Sequence, residues 1–253
     1  MFKKQTMYRP RLNSNEYDLI KSFRNSNVVG IIGDRHAPFT HPDYFDFVYE
    51  VFNKFQVSTV VDIGDDTDFH AISYHESDPD GESAGNELEL ARKDHVKWHE
   101  AFPEVYGCIG NHSSLPTRKL QTAGLPKSMF KTYNEMLGYP SGWKWAYNHE
   151  IDNVMYIHGT GSSGAQGAIN RARDNRQSTV IGHIHSFGGV SYSASDRDII
   201  FGMNVGCGID VRSYAMAYGK VYAKKPTLGC GIVIDGKTAI FIPMNLGSKI
   251  EWL

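Results

Sequence analysis

Cysteine is scarce in this sequence of 253 residues, which holds three: Cys108, Cys207 and Cys230. They form no paired spacing of the kind that indicates a disulfide framework or a zinc site. Such a sparse, odd count is typical of a reducing compartment, and we expect a cytoplasmic protein. No apolar run approaches the length of a membrane span, and no apolar stretch follows Lys3 and Lys4. The sequence therefore predicts neither a transmembrane helix nor a secretory signal.

An excess of positive charge is also missing. Lysine and arginine total 26 against 28 aspartate and glutamate residues, which gives a net charge of −2 with histidine neutral. Affinity for duplex nucleic acid depends on neutralising phosphates, so this balance argues against a nucleic-acid coat protein but allows a local basic patch. A composition of 41% hydrophobic and 21% charged residues indicates a globular chain. We expect an arm with a short helix in 1–27 and one domain over 28–253.

Strand and helix patterns alternate in the first half of the chain. The short apolar runs Val28–Gly33, Ser58–Ile63 and Val105–Ile109 predict strands, and helices are expected over 41–54 and 87–102. This β-α-β-α-β order predicts a largely parallel, buried sheet with helices on its faces.

The second half is richer in strands. Helices are expected over 127–137 and 165–174, and several short strands separated by glycine turns follow residue 188. Asp235-Gly236 is a hairpin signal, because both residues tolerate a positive φ angle. Two packed sheets with helices outside them account for both halves.

Five short polar motifs each follow a predicted strand. In chain order they are Asp34-Arg35-His36, Gly64-Asp65, Gly110-Asn111-His112, His158-Gly159 and Gly182-His183-Ile184-His185. Ligands of open α/β sheets bind beyond the carboxyl ends of the strands, so the five motifs can converge on one site. Side chains at i and i+2 of an extended chain point the same way. We therefore expect the Asp34/His36 pair and the His183/His185 pair each to hold one centre.

Each motif also has an ordinary interpretation when it is taken alone. Asp34 can cap a helix, Gly64-Asp65 can be a turn, and Asn111 tolerates a left-handed backbone. A single histidine such as His158 is more often buried and hydrogen-bonded than a metal ligand. The occurrence of all five motifs in order, each at a strand end, favours a metal site. Histidine, aspartate and asparagine without a thiolate suit Mn, Fe, Zn, Ni or Co.

As a set, the blocks DRH, GDDTD, GNH, HG and GHIH resemble the five signature blocks of the calcineurin-like metallophosphoesterase superfamily. The resemblance implies an α/β fold, a four-layer α/β/β/α sandwich of two mixed sheets flanked by helices. It also implies hydrolysis of a phosphoester with two divalent metal ions, for which we favour Mn²⁺. A looser similarity to small phosphoesterases of tailed phages rests on LPTRK, WKW and HGTGSSG.

The resemblance assigns the metal ligands residue by residue. One ion would be held by Asp34, His36, Asp65 and His185. The other would be held by Asp65, Asn111, His158 and His183. Asp65 would thus bridge the two ions, and His112 would act as the general acid for the leaving alkoxide. Two divalent ions, two carboxylates and a hydroxide leave a charge of about plus one, which favours an anionic phosphoester.

Ser113 stands where the superfamily has an acidic residue after GNH. In the superfamily that carboxylate orients the catalytic histidine, so Asp66, Asp68 or another acid would have to replace it here. Asp68 matches the last position of the GDxxD block, and a turn or helix cap is its equally good interpretation. The residues at Ala37, Phe69-His70 and Ser113 differ from those of Ser/Thr protein phosphatases, which argues against that activity.

Two further residues are candidates for substrate contacts. Arg118 follows GNH closely, and His70 lies in the loop after the second motif, although solvated side chains are the ordinary interpretation of both. The other histidines are expected to lie on the surface or on helices without a role: His41, His95, His99 and His149.

Hydrolysis of a phosphodiester by metal-activated water is the favoured function. The alternatives are a DNA exonuclease or endonuclease of the repair type, a phosphomonoesterase, and a scaffold that has lost catalysis. Repair nucleases usually carry a further DNA-capping domain, whereas a scaffold predicts missing ligands, and none is missing here. We expect a small phosphoester or nucleotide as substrate, with nucleic acid left open, no membrane partner and no prediction of the oligomeric state.

Overall fold

The structure is a computed structural model that describes residues 26–74, 80–213 and 225–244. The short helix expected in the N-terminal arm lies outside these residues. The described strands are β1 (Val28–Ile32), β2 (Thr59–Asp62), β3 (Val105–Cys108), β4 (Trp143–Ala146), β5 (Asn148–Ile151), β6 (Val154–Ile157), β7 (Ser178–Ile181), β8 (Gly188–Ala194), β9 (Ile199–Val205), β10 (Gly229–Ile234) and β11 (Thr238–Pro243). The described α-helices are α1 (Tyr44–Phe55), α2 (Ala84–Ala101), α3 (Leu115–Thr122), α4 (Tyr133–Leu137) and α5 (Gly167–Asn175).

The strands form two mixed sheets. The first has the order β11-β10-β1-β2-β3-β4, and the second has the order β5-β6-β7-β9-β8. Strands β1 to β4 are parallel neighbours, and β10 and β11 extend that sheet antiparallel to β1 and to each other. In the second sheet β6, β7 and β9 run parallel, with β5 and β8 antiparallel at its two edges.

The two sheets face each other across a core of apolar side chains. That core consists of Val29, Ile31, Val61, Ile63, Cys108, Val154, Tyr156, Val180, Phe201, Met203, Val205, Val233 and Ala239. Successive residues of a strand point to opposite faces, so Val28 and Ile32 lie on the outer face of the first sheet. There they join a second core that includes Phe52 of α1 and Trp98 of α2. Strand β1 is therefore buried on both faces, as its continuous apolar run predicts.

Helix α5 covers the other outer face. Its buried Ala168 packs with Ile181 of β7 and with Ile184. Gly202 of β9 allows this close approach, since a Cβ atom there would meet the backbone of Ala168 and Ile169. Helices therefore flank both sheets, and the predicted four-layer α/β/β/α sandwich is confirmed.

Local departures from the predicted elements have identifiable causes. The helix expected over 127–137 is split, because Thr132 forms a capping box with Glu135 that starts α4 at Tyr133. The helix expected from residue 41 begins at Tyr44, and the hydroxyl of Thr40 donates to Asp94 of α2. The hairpin predicted at 235–236 is confirmed, with positive φ angles at both residues between β10 and β11. Within the described ranges, no helix is long and apolar enough to cross a membrane.

Candidate metal centre

Each of the five polar motifs follows the carboxyl end of a strand, as predicted. Asp34 lies just beyond β1, Asp65 beyond β2 and Asn111 beyond β3 in the first sheet. His158 follows β6 and His183 follows β7 in the second sheet. Because these neighbouring strands are parallel, their ends bring the motifs of each sheet together, and the packed sheets bring both sets to one site.

Asp34, His36 and His185 form the first cluster. Their ligand-type atoms all lie within 4.8 Å of one another. The Nε2 atoms of His36 and His185 are 3.2 Å apart, and His185 Nε2 is 3.0 Å from Asp34 Oδ2. The other carboxylate oxygen, Asp34 Oδ1, is buried and has no hydrogen-bond partner among the described residues.

Asp65, Asn111, His158 and His183 form the second cluster. Asp65, His158 and His183 place ligand-type atoms within 4.8 Å of one another. His158 Nε2 lies 2.9 Å from Asp65 Oδ2 and 3.0 Å from Asn111 Oδ1. The second cluster thus offers imidazole, carboxylate and amide donors, whereas the first offers imidazole and carboxylate only.

The i, i+2 spacing allowed His183 and His185 to hold one centre, but they lie in different clusters, which is the division that the motif resemblance implies. The spacing argument assumed an extended backbone, but the φ angle of His183 is 64°, in the left-handed region. The amide of His183 donates to Asp34 Oδ2 at 2.7 Å, and the turn sends the two imidazoles to different clusters. The Asp34/His36 pair does share the first cluster, although His36 also has a positive φ angle of 51°.

Backbone amides fix the carboxylate of Asp65. Its Oδ1 accepts from the amides of His112 at 2.8 Å and Ser113 at 3.2 Å, so Oδ2 faces His158. Glycines make room for both carboxylates. A Cβ atom at Gly110 would meet Asp65 Oδ1, and one at Gly182 would meet Asp34 Oδ1. The sequence motifs contain these glycines, but sequence reasoning did not identify their role.

Asp68 joins His36 to His112. Its carboxylate contacts His36 Nδ1, its backbone carbonyl lies 2.7 Å from His112 Nδ1, and its Oδ1 lies 3.3 Å from the same nitrogen. Of the two acids that could replace the missing carboxylate after GNH, Asp68 is therefore the one that contacts His112. Asp66 instead accepts a hydrogen bond from Ser113 Oγ at 3.0 Å.

Burial and neighbouring charges shift the pKa values of the histidines and of Asp65 in opposite directions. Burial lowers the pKa of His36, against the effect of Asp68. Burial acts in the same direction on His158, but the carboxylates of Asp65 and Asp34 raise the pKa of His158 to about 9. Burial would raise the pKa of Asp65, but His158 holds that pKa well below its usual range. At His112, Asp65 and Asp68 overcome burial and raise the pKa.

The two candidate substrate contacts have different surroundings. His70 Nδ1 lies 3.9 Å from Asp68 Oδ2, beside the carboxylate that contacts His36. Arg118 is exposed, and its guanidinium lies 5.0 Å over the ring of Tyr74 rather than against either cluster. The structure thus brings His70, but not Arg118, to the edge of the site.

The residues present fit a pair of divalent metal ions. Metal-binding histidines usually hold one ring nitrogen on an oxygen acceptor and direct the other at the metal. His36 has its Nδ1 on Asp68 and its Nε2 in the first cluster. His158 has its Nδ1 3.2 Å from the carbonyl of Ile63 and its Nε2 in the second cluster. The unpartnered oxygen of Asp34 adds a buried acceptor suited to a cation.

The sequence matches no protein-family model and no curated relative. Among solved structures, it is similar to a metallophosphoesterase from Sphaerobacter thermophilus, with 13% identity, a TM-score of 0.43, and coverage of 87% of this chain and 89% of that one. The phosphoesterase YfcE from E. coli is 15% identical, with a TM-score of 0.42 and coverage of 81% and 87%. Vacuolar Protein Sorting 29 from Cryptosporidium parvum is 14% identical, with a TM-score of 0.43 and coverage of 87% and 98%. Two of these three solved structures are thus described as phosphoesterases.

Proposed function

We propose that this chain is a calcineurin-like metallophosphoesterase that hydrolyses a phosphodiester with two divalent metal ions. The observation that carries the proposal is the convergence of two His/Asp clusters with His112 at the ends of five strands. The alternative functions lack a specific observation in their favour, and they are outcomes of the test below.

The proposed ligands divide between the two clusters. Asp34, His36 and His185 would hold one ion. Asn111, His158 and His183 would hold the other, with Asp65 shared between the ions. Bound together, such ions acidify the attacking water and neutralise charge on the reacting phosphoryl oxygens. The chain's part is to orient these ligands, which it does through Asp68, the carbonyl of Ile63 and the amides that hold Asp65.

His112 is the proposed general acid. An N–H at Nδ1 donates to the carbonyl of Asp68, and Nε2 is then the ring nitrogen left for the substrate. The carboxylate of Asp68, whose Oδ1 lies 3.3 Å from the same Nδ1, is placed to stabilise the protonated ring that a general acid requires. As the phosphorus–oxygen bond breaks, the Nε2 proton would pass to the leaving oxygen and leave a neutral imidazole.

The charge of the site supports a diester over a monoester. A phosphomonoester dianion carries more negative charge than a diester, and a monoesterase commonly meets it with additional cationic side chains. Arg118 lies over Tyr74 rather than against either cluster, and His70 is the one candidate contact at the edge of the site. A metal centre with a charge of about plus one is already matched by a diester monoanion.

The decisive test is a substrate panel. Chelator-stripped protein, alone and reloaded with Mn²⁺, would be assayed on bis(p-nitrophenyl) phosphate, p-nitrophenyl phosphate, cyclic nucleotides, and single- and double-stranded DNA. We expect Mn²⁺-dependent hydrolysis with the small diesters ahead of the monoester. Preference for the monoester would refute the diesterase proposal, and preference for DNA would indicate a nuclease. Complete inactivity with ions bound would indicate a scaffold.

A further inference from the structure

A buried carboxylate lies directly behind the metal centre. Asp66 is fully buried, and four hydroxyl groups donate to it. Its Oδ1 accepts from Tyr133 at 2.7 Å and Ser113 at 3.0 Å, and its Oδ2 accepts from Tyr139 at 3.0 Å and Thr67 at 3.1 Å. All the acceptor positions of this carboxylate are thereby used, which is what a buried charge requires.

Arg35 supplies the opposite end of the same network. Its guanidinium is fully buried and donates to Asp62 Oδ2 at 2.8 and 3.1 Å, and to the hydroxyl of Tyr139 at 2.9 Å. Its Nη1 lies 3.3 Å from His95 Nδ1, and His95 Nε2 lies 2.9 Å from Thr67 Oγ1. His95 lies on a helix, α2, as expected, but its ring faces inward and is fully buried rather than at the surface.

The contacts fit a single arrangement of protons. Since Thr67 donates to Asp66, it accepts from an N–H at His95 Nε2, and His95 Nδ1 then accepts from Arg35. Burial and the Arg35 charge hold the pKa of His95 well below its usual range, which keeps the ring neutral as this arrangement requires. Along the two paths from Arg35 to Asp66, through His95 and Thr67 and through Tyr139, each donor therefore points toward Asp66.

Ser113 connects this network to the reaction site. It follows His112, and the amides of both residues donate to Asp65 Oδ1. The hydroxyl of Ser113 donates to the adjacent carboxylate, Asp66. Two consecutive aspartates thus hold the turn at His112 and Ser113. Asp65 accepts from the two backbone amides, and Asp66 accepts from the side chain of Ser113.

We infer that Asp66 is a positioning residue that fixes the orientation of His112 by anchoring Ser113. The inference rests on the proposed function, because His112 needs a fixed orientation only if it meets a leaving group. Asp68 contacts the imidazole of His112, while Asp66 holds the backbone that carries it. A serine in place of the acidic residue after GNH is then a working part of this site, since its hydroxyl reaches a carboxylate supplied by the loop after β2.

The first arm of the test needs no activity. Amide hydrogen exchange at His112 and Ser113 would be followed by NMR in the metal-free protein, for the wild type and for Ser113→Ala. We expect faster exchange at both amides in the variant. Ser178→Ala is the matched control, because its buried hydroxyl accepts from the Phe201 amide at the opposite end of β7. Unchanged exchange in Ser113→Ala would overturn the inference, as would equal acceleration in the control.

The second arm separates positioning from general stability. With Mn²⁺ bound, Ser113→Ala should lower kcat on a diester with an alkyl leaving group by about tenfold. It should change kcat on bis(p-nitrophenyl) phosphate by no more than about twofold, because that leaving group needs little protonation. Asp66→Asn should act in the same direction and more strongly. If Asp66→Asn fails to fold, Tyr133→Phe removes one of the two donors to Asp66 Oδ1. It should give a smaller difference between the two substrates, in the same direction.

The failures of the two proposals are distinguishable. If the wild type hydrolyses no phosphoester, the proposed function fails and the exchange arm alone decides whether Asp66 holds the turn. If the wild type is active but Ser113→Ala lowers kcat equally on both substrates, the positioning inference fails while the proposed function stands.

Discussion

In the first cluster, Asp34 Oδ1 has no hydrogen-bond partner within the described parts of the chain and lies 3.9 Å from His158 Nδ1, whereas in the second cluster both oxygens of Asp65 have close partners. Asp65 Oδ1 accepts two backbone amides, and its Oδ2 is paired with His158. The group that orients a histidine ring also differs between the two clusters. A carboxylate outside the cluster, Asp68, holds His36, while a neutral carbonyl, Ile63, holds His158.

This difference indicates unequal affinities for the two ions. An ion entering the first cluster meets His36, whose ring is held by the negative charge of Asp68, and such a partner strengthens an imidazole as a metal ligand. In each cluster the ion replaces one imidazole–carboxylate contact, between His185 and Asp34 in the first and between His158 and Asp65 in the second, but in the second cluster His158 is held only by a neutral carbonyl. We therefore expect the first cluster to bind its ion more tightly than the second.

The largest effect is expected from Asp65→Asn. Asp65 belongs to the second cluster and is the proposed bridge, so the variant should lose at least one ion per chain and nearly all activity. Elemental analysis after dialysis measures the ions. Asp196→Asn, in an exposed acidic position of the β8–β9 turn, is the control and should match the wild type. Two tightly bound ions in an active Asp65→Asn protein would contradict the assignment.

His112→Ala should have the next largest effect while leaving both clusters loaded. Loss of a general acid lowers the rate by roughly 10²–10⁴-fold, and the loss should fall on alkyl esters rather than nitrophenyl esters. The measurement is kcat on the two leaving groups at equal metal content. An equal decrease on both would assign His112 to binding or structure instead.

Asp68→Asn should weaken the first cluster selectively. Asp68 contacts His36 but none of the ligands proposed for the second cluster, and losing such an orienting partner lowers metal affinity by roughly 10–100-fold. Calorimetric titration with Mn²⁺ should show the tighter site weakened and the other retained. Asp94→Asn, which loses contacts with Thr40 and Lys97 away from both clusters, is the matched control. Equal weakening of both sites would remove the distinction between them.

The smallest effect concerns the substrate charge. Loaded wild-type protein should show a higher kcat/KM for a diester than for the matching monoester. Binding of a small nucleotide diester should weaken only slightly with added salt, whereas binding of a nucleic-acid polymer would weaken steeply in proportion to the phosphates neutralised. A steep salt dependence would favour the nuclease alternative.

Sequence patterns predicted the elements whose chemistry is local. The apolar run of β1 and the polar residues after it predict a buried strand with Asp34 at its end, and both are present. The Asp235-Gly236 turn was also predictable, because hairpin geometry depends on those two residues alone.

Long-range contacts were not predictable in this way. The spacing of His183 and His185 did not indicate their division between the clusters, which the resemblance implied, because it depends on a left-handed turn held by Asp34, far away in the sequence. The burial of His95 depends on Arg35, and the surroundings of Arg118 depend on Tyr74. The two residues of each pair are far apart in sequence, so no local periodicity or spacing predicts their contact.

The most direct test of the two-cluster account is calorimetric titration of chelator-stripped wild-type protein with Mn²⁺, in parallel with His36→Ala and His183→Ala. The account predicts two ions per wild-type chain with unequal affinities. His36→Ala should lose the tighter site, and His183→Ala should lose the weaker one. A single wild-type site, or loss of the tighter site in His183→Ala with the weaker one retained, would contradict it.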